Sequence, residues 1–141
     1  LQYKMNTIEI LKSHQLKKTS ARIALIEAML MIGKPASEDE IKNMMGLHYD
    51  RITFYRNVQT LIEAGVMHKI TAGNTCVRYA LNNCKEGHEH AVDHVHFLCN
   101  VCNSLKCLHE VHINRYLLPE NFQVEQCEVI LRGTCDACSL N

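Results

Sequence analysis

No apolar stretch approaches the roughly 18 residues a membrane-spanning helix needs, so no membrane partner is expected for this 141-residue chain. The opening segment, Leu1 to His14, lacks the basic, apolar and small-residue order of an export signal. Net charge is absent too, because 15 Lys+Arg balance 15 Asp+Glu. Taken alone, that balance argues against a nucleic-acid partner. There is no internal repeat. What is present, 47% hydrophobic and 21% charged residues, suits a soluble chain of one ordinary domain or two small ones. Eight cysteines without an export signal point to a reducing cytoplasm, where metal binding or redox sensing prevails over a disulfide framework.

The neutral total conceals a division. Residues 1–83 hold 11 Lys+Arg and 7 Asp+Glu, a balance of +4, whereas residues 84–141 hold 4 and 8, a balance of −4. A basic front half suits a polyanion, and an acidic rear half rich in His and Cys suits a cation. In the rear half, Cys99-Asn-Val-Cys102 and Cys135-Asp-Ala-Cys138 are separated by 32 residues. Each short pair lets two sulfurs reach one ion at about 2.3 Å, and the two pairs together supply a closed four-thiolate zinc shell. Two disulfides, or thiols buried as small apolar residues, explain the paired spacing less well.

Periodicity and punctuation predict an α+β chain. A short amphipathic segment covers Asn6 to Ser13. Thr19 is expected to cap a helix over Ser20 to Met31, with Ile23, Ile26, Ala28, Leu30 and Met31 at helical spacing and Gly33-Lys34-Pro35 as its stop. Ser37 caps a second helix, whose first turn carries Glu38, Asp39 and Glu40 as the dipole favours, and which ends near Gly46. Asp50 caps a third, Arg51 to Ala64, stopped by Gly65. In that helix Ile52, Tyr55, Val58, Leu61 and Ile62 are expected to line one face. Two strand-like runs, Val66 to Thr71 and Cys76 to Leu81, join through Ala72-Gly73-Asn74 as a hairpin. Three helices and a hairpin make a winged helix-turn-helix over residues 1–82.

Residues 83–92 read as a polar hinge. From 93 to 141 a small α/β unit is expected. His94 to Cys99 alternates like a strand, with Val95 and Phe97 toward a core and His94 and His96 on the other face. Leu105 to Cys107 is expected as a short strand, Leu108 to Leu117 as a helix, and Phe122 to Leu131 as a further strand.

A helix that reads the major groove needs donors for base edges, apolar contact for the thymine methyl and flanking cations for phosphates. Arg51, Thr53, Tyr55, Arg56 and Asn57 offer these on the third helix, and Lys17, Lys18 and Arg22 are candidates for phosphate contacts.

The succession Thr19-x-x-Arg22, Ile52-Thr-Phe-Tyr-Arg56, Leu61-Ile-Glu-Ala-Gly65, Arg78-Tyr79, His94-x-His96, Cys99-x-x-Cys102 and Gly133-Thr-Cys135-x-x-Cys138 resembles the ferric uptake regulator family over nearly the whole chain. That family comprises dimeric bacterial transcription factors that sense iron, zinc or peroxide. They carry an N-terminal winged helix and a C-terminal α/β dimerisation domain. The resemblance implies that Tyr55 and Arg56 lie on the recognition helix, that Cys99, Cys102, Cys135 and Cys138 hold a structural zinc, and that a homodimer binds double-stranded DNA at an A·T-rich palindromic operator.

The sensory positions depart from the family pattern. Many members place a His shortly before the third helix, where this chain has Lys34, and an acid after the aromatic residue of the wing, where it has Ala80. An acid five residues beyond the second cysteine is replaced by Cys107. At the positions of the dimerisation-domain site stand Val95, Asn114 and Cys127, leaving Asp93 as its candidate. His94 and His96 survive, and their partners are sought among His88, His90, Cys84 and Cys107. Such a nitrogen and sulfur shell suits a regulatory Zn2+, with Fe2+ as the other choice. His109 and His112 are expected on the surface, and Cys76 in core or wing packing.

The expected function is therefore a metal-dependent repressor. The competing readings are a redox- or peroxide-sensing regulator of the same family, using Cys84 and Cys107, and a zinc-dependent interaction module without a DNA role. A zinc hydrolase is disfavoured. Its signature requires H-x-E followed by P-C-x-x-C, but Leu98 precedes Cys99, and a four-cysteine shell leaves no open position for an activated water.

Overall fold

The computed structural model describes residues 6–73, 76–82, 94–113, 116–125 and 127–140, without the side chains of His94 and His112. The chain divides into two compact units, Leu1–Gly87 and His88–Asn141.

The first unit is built from capped helices. α1 spans Thr7–Ser13, α2 Ser20–Ile32, α3 Glu38–Met45 and α4 Arg51–Glu63. Each begins where a short polar side chain takes an otherwise unpartnered backbone N–H. Thr19 accepts from the Arg22 amide, Ser37 from Glu40 and Asp50 from Thr53. Around α1 and α3 the bond is reciprocal, because Glu9 and Glu40 reach back to the amides of Asn6 and Ser37. Gly33 ends α2 at φ 67°, a left-handed conformation that favours glycine.

β1, Met67–Ala72, pairs antiparallel with β2, Cys76–Leu81, to form the wing hairpin. Asn74 of the expected turn lies outside the described residues. A two-way bridge, Ala36 N–H to Tyr79 O at 2.9 Å and Tyr79 N–H to Ala36 O at 2.8 Å, fastens the segment before α3 to β2. The wing therefore helps fix the start of α3.

The core of this unit gathers Leu11, Leu25, Ile26, Ile41, Phe54, Leu61, Val66 and Met67, all nearly inaccessible. Two face assignments are corrected. On α4 the buried residues are Phe54, Asn57, Val58 and Leu61, whereas Ile52 is 72% exposed and Tyr55 42%. On α2, Leu25 and Met29 are buried and Met31 is 73% exposed. In both helices apolar residues occur on more than one face. The three-dimensional core, not the count of apolar positions, decides which stripe turns inward.

The second unit is a three-stranded sheet of order β4-β3-β5. β3, His94–Cys99, pairs antiparallel with β4, Leu105–His112, and parallel with β5, Val129–Gly133. A four-residue helix, α5, covers Asp136–Ser139. The helix expected over Leu108 to Leu117 is not formed, because β4 continues to His112 along its hydrogen-bonded neighbour. Leu108 pairs with Val95 and His112 with His94, on either side of an irregularity in the ladder. The strand expected from Phe122 is shorter and later, with Phe122 and Val124 exposed in irregular backbone.

Phe54 is fully buried and meets three aromatic rings. Its ring centroid lies 5.5 Å from that of Tyr49 in a tilted pair, and 5.3 Å and 5.9 Å from those of Tyr55 and Tyr79 in edge-to-face pairs. Phe54→Ala is expected to cost about 3–5 kcal/mol, to be read from urea unfolding followed by helical circular dichroism. A loss below about 1 kcal/mol would show that the site repacks around the cavity.

Candidate metal centre and nucleic-acid interface

Strand register brings the two cysteine pairs together. β3 and β5 run parallel with Cys99 opposite Gly133, so both strands finish at the same end of the sheet. The chain leaves β3 through Cys99–Cys102 and leaves β5 through Thr134 into Cys135–Cys138. Asn100 N–H donates to Gly133 O at 2.8 Å, locking the two exits side by side. Each pair is then folded as a tight turn. In the first, Asn103 N–H reaches Cys99 O at 3.0 Å and Asn103 adopts φ 55°; in the second, Cys138 N–H reaches Cys135 O at 3.1 Å. At Gly133 an added Cβ would lie 3.2 Å from the Phe97 ring, so a small residue lets the strands close above that ring.

The result is a cluster in which the Sγ atoms of Cys99, Cys102, Cys135 and Cys138 all lie within 4.8 Å of one another. Cys102 and Cys135 are 3.8 Å apart. That separation is too long for a disulfide, and it matches the edge of about 3.8 Å that a tetrahedron with metal–sulfur bonds of about 2.3 Å requires. The described cysteines are free thiols. The electrostatics favour thiolate where the backbone points inward. Amides of Cys102 and then Cys135 pull the Cys99 thiol down to about 6, and the Cys135 N–H lies 3.3 Å from its sulfur. Cys138 is pushed up to about 12 by sharing its proton with the sulfurs of Cys135 and Cys102. A cation at the centre would replace such shared protons. Beside the cluster, Lys106 Nζ holds Asp136 Oδ1 at 2.6 Å.

The histidine-bearing strand is described in part. His96 is 3% exposed. It stands directly across from Cys107 in the β3–β4 ladder, with donor atoms within 4.8 Å. Burial pushes the Cys107 thiol up to about 11. Cys84, His88, His90 and the His94 side chain lie outside the described residues, as do Asp93 and Asn114. Lys34, at a departed family position, faces Glu40 at 3.6 Å.

On the front unit, α4 presents Arg51, Tyr55, Arg56 and Gln59 to the outside, with Thr53 half-buried. Lys17 and Lys18 are exposed ahead of α2. Arg22 is engaged within the fold: Nε donates to Asn57 Oδ1 at 3.1 Å and Nη1 to Lys17 O at 3.2 Å. Asn57, read from the sequence as a base-edge donor, is buried instead, and its Nδ2 donates to Thr53 O at 3.0 Å. It joins α2 to α4 and holds Arg22 in place. Glu38 and Tyr49 are absent from the candidates, yet the Tyr49 and Tyr55 hydroxyls both donate to the Glu38 carboxylate. Their positions, in a first helical turn and a loop, give no pattern that points to one another.

The ferric uptake regulator family model matches residues 13–132. The chain belongs to the ferric uptake regulator family. Its members are transcriptional regulators, not enzymes. Among solved structures, a zinc uptake regulator complexed with zinc and DNA is 18% identical, with a TM-score of 0.70 over 97% of each chain. A Campylobacter jejuni peroxide stress regulator is 20% identical, with a TM-score of 0.57 over 95% of this chain and 100% of that one. The Helicobacter pylori ferric uptake regulator, described with three functional metal binding sites, is 16% identical, with a TM-score of 0.58 over 92% of this chain and 86% of that one. No curated protein matches the chain in sequence. These likenesses support the fold of this family member, a winged helix followed by an α/β unit. No helix among the described residues is long and apolar enough to cross a membrane.

Cobalt offers a direct check on the cysteine cluster, because a tetrahedral thiolate shell gives strong sulfur-to-metal charge-transfer absorption. Cys99→Ser is expected to lose that absorption and to weaken the second unit, given binding free energies of about 10–16 kcal/mol in small four-ligand sites. A variant with the parent spectrum would place the metal elsewhere.

Proposed function

We propose that this chain is a metal-dependent, DNA-binding transcriptional repressor that acts as a homodimer. Residues 1–82 read DNA, residues 83–92 form the hinge, and residues 93–141 pair the chains. The observation that carries this reading is the outward face of α4. In a winged helix anchored through Phe54, Val58 and Leu61, the exposed side chains include Arg51, Tyr55 and Arg56, beside Ile52 and Gln59, and the first three suit guanine edges, thymine methyls and phosphates. Lys17 and Lys18 add phosphate contacts, and Arg22 acts through the shape of the α2–α4 pair. An A·T-rich palindrome fits two such heads related by a twofold axis.

Zinc is the cation we assign to the four cysteines, since a closed all-sulfur tetrahedron suits it and leaves no position for substrate. That zinc is structural. A second divalent ion, Zn2+ or Fe2+, is assigned to His94, His96 and Cys107 together with His88, His90 or Cys84. Sensing then requires that this ion bind more tightly to the arrangement in which both heads reach their half-sites, because equal affinity would shift nothing. A cytoplasmic location follows from the thiol chemistry. The thiol-based redox reading is weakened at Cys107, where burial keeps sulfur protonated and a poor nucleophile.

Binding of the purified protein to a duplex enriched from a random-sequence pool tests the proposal. Affinity is expected to fall steeply between low and physiological salt, and to fall again when a chelator removes the more weakly held metal. His96→Ala is expected to abolish the metal dependence while retaining one zinc per chain, and Arg56→Ala to weaken binding about tenfold or more. Metal-independent binding in the parent protein, or unchanged binding by Arg56→Ala, would contradict the assignment.

A further inference from the structure

On the surface that carries the recognition helix, one carboxylate collects two phenols. The Tyr49 hydroxyl donates to Glu38 Oε1 at 2.5 Å, and the Tyr55 hydroxyl donates to Glu38 Oε2. Beneath them the buried Phe54 ring contacts both tyrosine rings, at 5.5 Å and 5.3 Å between centroids. Each tyrosine is thus held at its ring and at its hydroxyl. Arg51 lies over the Tyr55 ring at 6.0 Å, and Lys42 over the Tyr49 ring at 5.5 Å, so cations flank the carboxylate. The bonds from Tyr49 and then Tyr55 hold the Glu38 carboxyl below its ordinary range, and Tyr49 is in turn raised to about 12.

A negative charge here suits the first turn of α3, but the helix dipole alone does not account for two phenols gathered on one carboxylate. An acid beside a phosphate-binding surface weakens every DNA complex, specific or not, unless it contributes to selection. The Ser37–Glu40 reciprocal cap secures the start of α3 without Glu38, so helix capping does not require it. We propose that Glu38 is a positioning residue for DNA reading: it fixes the Tyr55 ring, and the Arg51 guanidinium over it, in one orientation before DNA arrives. The Tyr55 hydroxyl is then occupied within the protein, and its exposed ring offers apolar contact of the kind that recognises a thymine methyl. Pre-ordering the ring removes an entropic cost from the specific complex. This inference rests on the repressor reading above.

Glu38→Ala and Glu38→Gln, compared with the parent protein, separate positioning from simple charge. On a duplex enriched by the parent from a random-sequence pool, Glu38→Ala is expected to bind about tenfold more weakly, the size of one lost bond to a charged group. On an unrelated duplex of equal length it should bind as well or better, because a repelling charge is gone. Glu38→Gln, which keeps one acceptor oxygen, should recover part of the loss. Without DNA, ultraviolet titration should show two phenols of the alanine variant ionising at lower pH, toward about 10. Tighter binding of Glu38→Ala to both duplexes, or an unaltered phenol titration, would overturn the inference and leave the repressor reading intact. Failure of the parent to enrich any sequence would instead overturn the repressor reading and the inference with it.

Discussion

The rear unit depends on the parallel pairing of β3 with β5. Because the two strands point the same way in a register that sets Cys99 opposite Gly133, both chain exits lie at one sheet end, and two turns distant in sequence present four sulfurs to one point. An antiparallel β5 would have delivered Cys135 and Cys138 to the opposite end. Parallel neighbours need a crossover of a dozen or more residues, and the segment between β4 and β5 supplies one. With few buried residues beyond Val95, Leu98 and Leu105 among those described, a sheet this small gains little from its core alone. A cation held by the four cysteines at its end would close a long loop and remove much of the freedom of the unfolded chain.

The front unit solves a different problem, which is to hold a polar, cationic helix face rigid without burying it. Phe54, Val58 and Leu61 anchor the inner side of α4. Asn57 uses its buried amide to tie Arg22 of α2 to the backbone of Thr53. Glu38 and Tyr49 tether the outer rim. Asn57 and Tyr55 of α4 are held by partners from α2 and α3, which under the proposed function would lower the ordering cost of binding. The division of charge fits the proposed function, with excess cations on the front half and excess acids and thiols on the rear half.

Caps and stops made the helices legible. Thr19, Ser37 and Asp50 each mark a helix start through a local bond, and such bonds depend on neighbours in sequence. The cysteine spacing was legible for the same reason, since C-x-x-C is a turn before it is a site. Long-range choices were not. Ile52 and Met31 fit a helical period yet face outward, because only the assembled core selects the inner stripe. Residues 108–112 became strand through pairing with β3, a partner that local propensity does not name. Asn57 reads as a polar helix residue until Arg22, 35 positions away, is seen to need it.

One measurement bears most directly on the claim that four sulfurs enclose one ion. X-ray absorption at the zinc edge, on protein washed with a weak chelator until one metal per chain remains, reports the ligand atoms and their distances. The account predicts a single shell of four sulfurs at about 2.3 Å. A shell containing nitrogen or oxygen, or a chain that retains no zinc while keeping its cysteines reduced, would contradict it.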